Sequence, residues 1–263
     1  MGETLVLRED TGRVARLTLN RPEALNALSD AMLAALGAEL DRLAADREIR
    51  AVVIRGAGRA FCAGHDLREM EAARAASDGG RAAYLALFET CSGVMRRIRM
   101  LPQPVIAEVH GIAAAAGCQL VATCDMAVAA ETARFGVNGV NIGLFCSTPM
   151  VALSRNLGRK KAFELLVTGE FLSAAEAVEQ GLANRAVPEE RLGDEAMALA
   201  ARVAEKLAVA VRIGKRAFHE QIEMGTDEAY ALTSRAIAEN MLEPETAEGV
   251  RAFLEKRRPD WRC

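Results

Sequence analysis

Residues 104–130 read P-V-I-A-E-V-H-G-I-A-A-A-A-G-C-Q-L-V-A-T-C-D-M-A-V-A-A. Pro104 marks the entry to an apolar run over 105–109, the length of a buried strand, and Gly111 ends it. Small residues over 113–117 lead into a short helix carrying Gln119, Leu120 and Thr123. A second buried strand follows at 126–130. Strand, helix, strand with no polar alternation is an α/β pattern.

Upstream, 4–8 and 13–20 are strand-like runs joined by Glu9-Asp10-Thr11-Gly12, a hairpin signal. Met32, Leu36, Leu40 and Leu43 recur at helical spacing over 29–45, and 49–55 is a buried strand closed by Gly56-Ala57-Gly58. Residues 71–83 read as a mobile surface excursion before a helix over 84–99. Downstream, 134–137 is a short strand. Thr148-Pro149 resembles a helix N-cap with proline at the first helical position. Ser173 and Glu176 match a capping box, and Gly181 a helix C-cap. From about residue 189 the pattern is nearly all helical. The expectation is an α/β core over 1–195 and a helical region over 196–263. The recurring strand-strand-helix rhythm suggests a coiled, repeated core.

A chain of 263 residues can bury a proper core. Plentiful apolar residues and balanced charge exclude disorder. A net charge of −3 disfavours general nucleic-acid binding. No uninterrupted apolar run reaches the roughly 18–20 residues of a membrane span. Met1-Gly2-Glu3-Thr4-Leu5 lacks a secretory pattern, and no Arg-rich transit peptide is visible. The six cysteines (Cys62, Cys91, Cys118, Cys124, Cys146, Cys263) show no staple pattern. They read as free thiols in a reducing cytosol, so the expected location is cytoplasmic.

Several chemistries are weak. Gly56-Ala57-Gly58-Arg59-Ala60-Phe61 has Phe61 where a dinucleotide loop has its third glycine, so it reads as a turn. His65, His110 and His219 form no metal-ligand spacing, and no metal is expected. Cys62 near His65 reads as a buried cysteine beside a turn, and Ser147 lacks a nucleophile elbow. Two segments stand apart: Phe61-Cys-Ala-Gly64-His65-Asp66-Leu67-Arg68 and His110–Gln119, each directly after a strand. The second opens a helix, whose first amides lack internal partners and sit at the positive end of its dipole. Facing each other, the loops would aim two N–H groups at one carbonyl oxygen, an oxyanion hole. Tight packing of small residues is the other reading, and the residues alone leave both open.

These segments, with L-N-R-P-E-A-L-N-A-L at 19–28, S-A-A-E-A-V-E-Q-G-L at 173–182 and A-F-L-E-K-R-R-P-D-W at 252–261, resemble the crotonase (enoyl-CoA hydratase/isomerase) superfamily over nearly the whole chain. Within it, 113–125 and 140–149 are similar to the group around enoyl-CoA hydratase domain-containing protein 3. The resemblance implies an α/β spiral of repeated ββα units, and C-terminal helices that build trimers, often paired into hexamers. It implies an acyl-CoA thioester as substrate or ligand, with no separate cofactor. Carried over by motif, the amides of His65 and Ala116 hold the thioester oxygen. Asp66, Leu67 and Arg68 line the CoA side, with Arg68 near phosphate, and Lys256 is a further phosphate contact. Asn138, Asn141, Cys146 and Ser147 border the acyl group, while mid-strand Glu108 is a buried ion-pair partner.

The chain also departs from that pattern. Hydratases of the superfamily carry one glutamate where this chain has Gln119, and a second where it has Gly139. Glutamine can orient water but cannot exchange a proton near neutral pH. The expected activity nearest to hand is enoyl-CoA hydration. Double-bond isomerisation, thioester hydrolysis and a non-catalytic acyl-CoA-binding scaffold are the alternatives.

Overall fold

The computed structural model describes residues 4–261; Met1, Gly2, Glu3 and Cys263, on which the N-terminal and one cysteine expectation rest, lie outside them. β1 (Val6–Thr11) and β2 (Val14–Leu19) form the expected antiparallel hairpin. Ser29 caps α1 (Asp30–Ala45) by accepting the Met32 amide, and the predicted stripe of Met32, Leu36, Leu40 and Leu43 is buried. β3 (Ala51–Gly56) leads to α2 (Leu67–Ala73) and α3 (Arg81–Met100). Then come β4 (Val105–Val109), β5 (Ile112–Ala114), α4 (Ala116–Thr123), β6 (Met126–Ala130) and β7 (Arg134–Gly136). α5 (Pro149–Asn156), α6 (Arg159–Thr168), β8 (Phe171–Ser173), α7 (Ala174–Glu179) and β9 (Arg185–Val187) complete the mixed part. Four helices close the chain: α8 (Leu192–Ala204), α9 (Ala208–Gln221), α10 (Thr226–Leu242) and α11 (Pro244–Leu254).

The main sheet has the order β1-β2-β3-β4-β6-β9, and every pairing after the hairpin is parallel. A second sheet, β5-β7-β8, stands beside it. Parallel neighbours need long crossovers, so each turn of the coil brings a connecting segment back over the sheet. β4 is buried along its whole length. Glu108 in its middle is an ion-pair partner as expected, with Arg16 at 3.4 Å and Arg55 at 3.5 Å. α8 turns Leu192, Ala196, Leu199, Ala200 and Ala204 inward, and the 195/196 division falls inside this one helix. By contrast α10 buries none of its residues, and Tyr230, Leu242, Phe253 and Leu254 are exposed. No helix is long and apolar enough to cross a membrane among the described residues.

Three local expectations need correcting. Residues 71–73 finish α2 rather than opening a surface excursion, because Asp66 caps that helix through the Arg68 amide. α3 starts at Arg81, three residues before the predicted position. Thr148 makes no side-chain capping bond to α5, although Pro149 does open it. The capping box of Ser173 and Glu176 is present.

One side chain ties the N-terminal layer to the loop after β3. Asn26 is fully buried in a left-handed backbone, φ +55°. Its Nδ2 donates to the carbonyls of Ala57 and Ala60, both at 2.8 Å, and its Oδ1 accepts the Arg21 amide at 3.0 Å. Replacing Asn26 with alanine leaves those buried groups unpaired. The expected loss is about 3 kcal/mol, read as a lower thermal or urea midpoint, whereas an unchanged midpoint would mean that water takes over the bonds.

Candidate active site

The two signature loops run side by side. The Cys62 amide donates to Ile112 at 3.1 Å, and the Ala114 amide donates to Cys62 at 2.9 Å. Gly117 is so close that a Cβ there would overlap the Cys62 carbonyl oxygen. Gly64 has φ +99°, and a Cβ on it would lie 3.0 Å from Ala115 Cβ and 3.4 Å from the Ala116 nitrogen. Small residues pack tightly here, and that same packing sets His65 and Ala116 on the wall of one cavity of about 710 Å³.

Ala116 is the first residue of α4, so its amide has no intrahelical acceptor and sits at the positive end of the helix. Ala115 before it has φ +48° and ψ −116°, a strained conformation for a residue with a Cβ. A 2.8 Å bond from its amide to the Gly136 carbonyl holds it there.

Asp66, Leu67, Arg68, Asn138, Gly139 and Ser147 line the same cavity. Burial of Asp66 works to raise its pKa, but the Arg21 guanidinium at 2.8 Å and the Arg68 amide at 2.9 Å hold it below the usual carboxylate range. Ser147 is spent on the Phe145 carbonyl at 3.3 Å. The His65 ring packs edge-on against Phe88, which lines the same cavity, with Nδ1 3.4 Å from the Leu28 carbonyl and Nε2 buried without a partner among the described residues. Burial, the largest cause, lowers its pKa, which keeps the imidazole neutral. Cys62 is no nucleophile: burial pushes its thiol up to about 12. The five described cysteines are free and buried.

Three expected site residues are elsewhere. Asn141 does not line the first cavity, and its Nδ2 donates to the Gly169 carbonyl at 3.3 Å. Gln119 is 4% exposed and lines a neighbouring cavity of about 840 Å³, with its Oε1 lacking a partner among the described residues. Lys256 stands exposed just past α11 and borders neither cavity. Gly139 does line the first cavity, but its space is taken. A Cβ there would lie 2.5 Å from the Leu144 carbonyl oxygen and 2.9 Å from Cys146 Sγ. The segment folds back on itself, the Leu144 amide donating to Gly139 at 2.9 Å. Arg21 and Arg59 also border the first cavity. Both were overlooked, although each sits in a motif already singled out: Arg21 in L-N-R-P-E and Arg59 in G-A-G-R.

A coiled parallel sheet with two glycine-bearing loops clasped over one cavity defines a crotonase-type protein. Residues 9–263 match the enoyl-CoA hydratase/isomerase family, and the chain belongs to it. It is similar to the mitochondrial enoyl-CoA hydratase domain-containing protein 3 of Danio rerio, 44% identical over 98% of this chain and 88% of that one. The crystal structure of human enoyl-CoA hydratase domain-containing protein 3 superimposes with a TM-score of 0.93 at 42% identity, covering 98% of this chain and 100% of the other. That of a Mycobacterium smegmatis enoyl-CoA hydratase gives 0.95 at 56% identity, over 99% and 100%. The grouping inferred from 113–125 and 140–149 is therefore correct. The cytoplasmic expectation is not: the domain-containing protein 3 relatives are named as mitochondrial, and a missing leader pattern and free thiols carry no weight against that.

Gln119 carries an unpaired buried carbonyl whose amide a leucine can replace at similar volume. Gln119→Leu is expected to raise stability by about 1–2 kcal/mol, measured as an increased denaturation midpoint; a destabilised variant would reveal a hidden partner for Oε1.

Proposed function

We propose that the first cavity binds the thioester end of an acyl-CoA and that the amides of His65 and Ala116 receive its carbonyl oxygen. The observation that carries this reading is the contact of Gly64 with Ala115 and Ala116, which brings both amide-bearing loops to one wall. Two fixed donors would stabilise the negative charge that develops on that oxygen whenever the thioester becomes an enolate. One such donor is worth on the order of 2.7–4 kcal/mol. Arg59 and Arg68, exposed at the cavity rim, suit the phosphates of CoA.

The nearest activity is enoyl-CoA hydration, the addition of water across a 2-enoyl thioester to give the 3-hydroxyacyl ester. It needs a base for the water and an acid for the α-carbon. The carboxylates bordering the cavity are Glu23 and Asp66, and both are tied to Arg21. Each missing acid–base group costs about 10²–10⁴ in rate. Isomerisation meets the same gap. The filled space at Gly139 favours a second reading, a binding scaffold that stabilises a thioester without hydrating it. In either case the exposed apolar residues of α10 and α11 support assembly into trimers, or pairs of trimers, through the C-terminal helices.

The test is a crotonyl-CoA hydration assay beside acyl-CoA binding by calorimetry. The expected wild type binds the ester and hydrates it slowly or not at all; rapid hydration would show that another group activates water. Gly64→Ala, which drives a Cβ into Ala115, is expected to weaken ester binding at least tenfold while CoA alone binds as before. Gly139→Glu, alone or with Gln119→Glu, is expected not to create a fast hydratase, since the added side chain displaces Leu144 and Cys146; a gain of several hundred-fold would refute that steric account.

A further inference from the structure

The second cavity, of about 840 Å³, neighbours the first: Thr148 lines both, and Gln119 on α4 lines the second. α3, α5 and α9 supply its other walls, and Met95, Ala122, Val151 and Phe218 make them largely apolar. Its charge is unbalanced. Arg96, Arg99, Arg155 and Lys215 face two carboxylates, Asp125 and Glu223. Lys215 is neutralised, with Nζ 2.7 Å from Asp125 Oδ2 and further bonds to the carbonyls of Ile98 at 2.9 Å and Gln103 at 3.0 Å. His219 Nε2 takes the other Asp125 oxygen at 2.8 Å. Glu223 is shared between two guanidiniums, Arg155 at 2.9 Å and Arg99 at 3.6 Å. Arg96 has no ion-pair partner among the described residues.

We propose that this cavity receives the far end of the acyl chain and selects chains that terminate in a carboxylate. The inference rests on the reading of the first cavity as the thioester site. The apolar walls suit the methylenes, and the arginine end sets three guanidiniums, Arg96, Arg99 and Arg155, against the single carboxylate of Glu223. At the near end a terminal carboxylate meets the uncharged side chains of Gln119 and Thr148. It gains charge-assisted hydrogen bonds only by reaching α3 and α5. The substrate class is therefore a mono-CoA thioester of a straight-chain dicarboxylic acid.

The experiment is calorimetric binding of matched pairs to the full-length wild type and Arg96→Gln. The pairs are hexanoyl-CoA with hexanedioyl-CoA, octanoyl-CoA with octanedioyl-CoA, and dodecanoyl-CoA with dodecanedioyl-CoA; CoA itself is the control. In at least one pair the terminal carboxylate is expected to tighten binding about tenfold, the size of one charge-assisted hydrogen bond. That advantage is expected to shrink towards unity in Arg96→Gln, an exposed position whose replacement leaves the core intact. Equal or weaker binding of the carboxylated ester in every pair overturns the proposal while leaving the thioester reading in place. Failure of both members of every pair to bind more tightly than CoA overturns the thioester reading, and this proposal with it. An advantage that survives Arg96→Gln in full overturns the assignment of the arginine end.

Discussion

The whole site depends on how closely two backbone segments approach between Cys62 and Gly117. A carbonyl oxygen fills the place where a side chain at Gly117 would begin, and the loop bearing Gly64 lies so near Ala115 that a Cβ at 64 would come within 3.0 Å of the Ala115 Cβ. An amide pair can act on a developing oxyanion only if it is already in place, because reorganising a dipole during the reaction gives back what the dipole contributes. Here rigidity comes from several independent sources. The main sheet holds β3 beside β4. Ladder bonds join 62 to 112 and 114. Asn26 closes the loop after β3 from the other side. The strained Ala115 is the local cost, about 1–3 kcal/mol, and it is borne where it orients the first amide of α4.

Ionisable groups are sorted around that contact. Asp66 at the cavity is bound to Arg21, Glu108 in the sheet to Arg16 and Arg55, and Asp125 beside the second cavity to Lys215 and His219. A buried charge without a partner would cost several kcal/mol, so each sits in a pair. The thiols Cys62, Cys91 and Cys118 are pushed up to about 12 by burial and stay protonated. What remains at the first cavity is the first amide of α4 beside the His65 imidazole, whose Nε2 is buried without a hydrogen-bond partner among the described residues. A fixed backbone donor of that kind stabilises negative charge whether or not the ring moves a proton.

Much of this was legible in the residues. Continuous apolar runs announced β3, β4 and β6, the stripe from Met32 to Leu43 announced α1, and Glu108 declared itself by standing in an otherwise apolar strand. Other features left no trace for physical reasons. β5 has three residues, too few to show a period. α2 buries no residue, so its sequence carries no apolar stripe and reads as loop. The cluster of Asp125, Lys215 and His219 joins residues 90 or more positions apart, and no local pattern records such a pairing. The motif match set Gln119 and Gly139 apart along the chain, but it could not reveal what surrounds each position.

Those surroundings make the two departures unlike each other. At Gln119 the backbone is ordinary helix and the change is confined to a side chain, which leaves an oxygen unpaired beside the second cavity. At Gly139 the backbone itself leaves no room. Residues 138–142 form a short 3₁₀ turn, Gly143 leaves it with φ +80°, and the Leu144 amide returns to Gly139. The Leu144 carbonyl and Cys146 sulfur then fill the volume in which a side chain would start. A carboxylate at 119 asks only for a new group on an existing helix, whereas a carboxylate at 139 asks for a different path through 138–148. The lack of room at Gly139 is thus built into the shape of the segment that lines the first cavity, whereas the feature at Gln119 is a matter of one side chain.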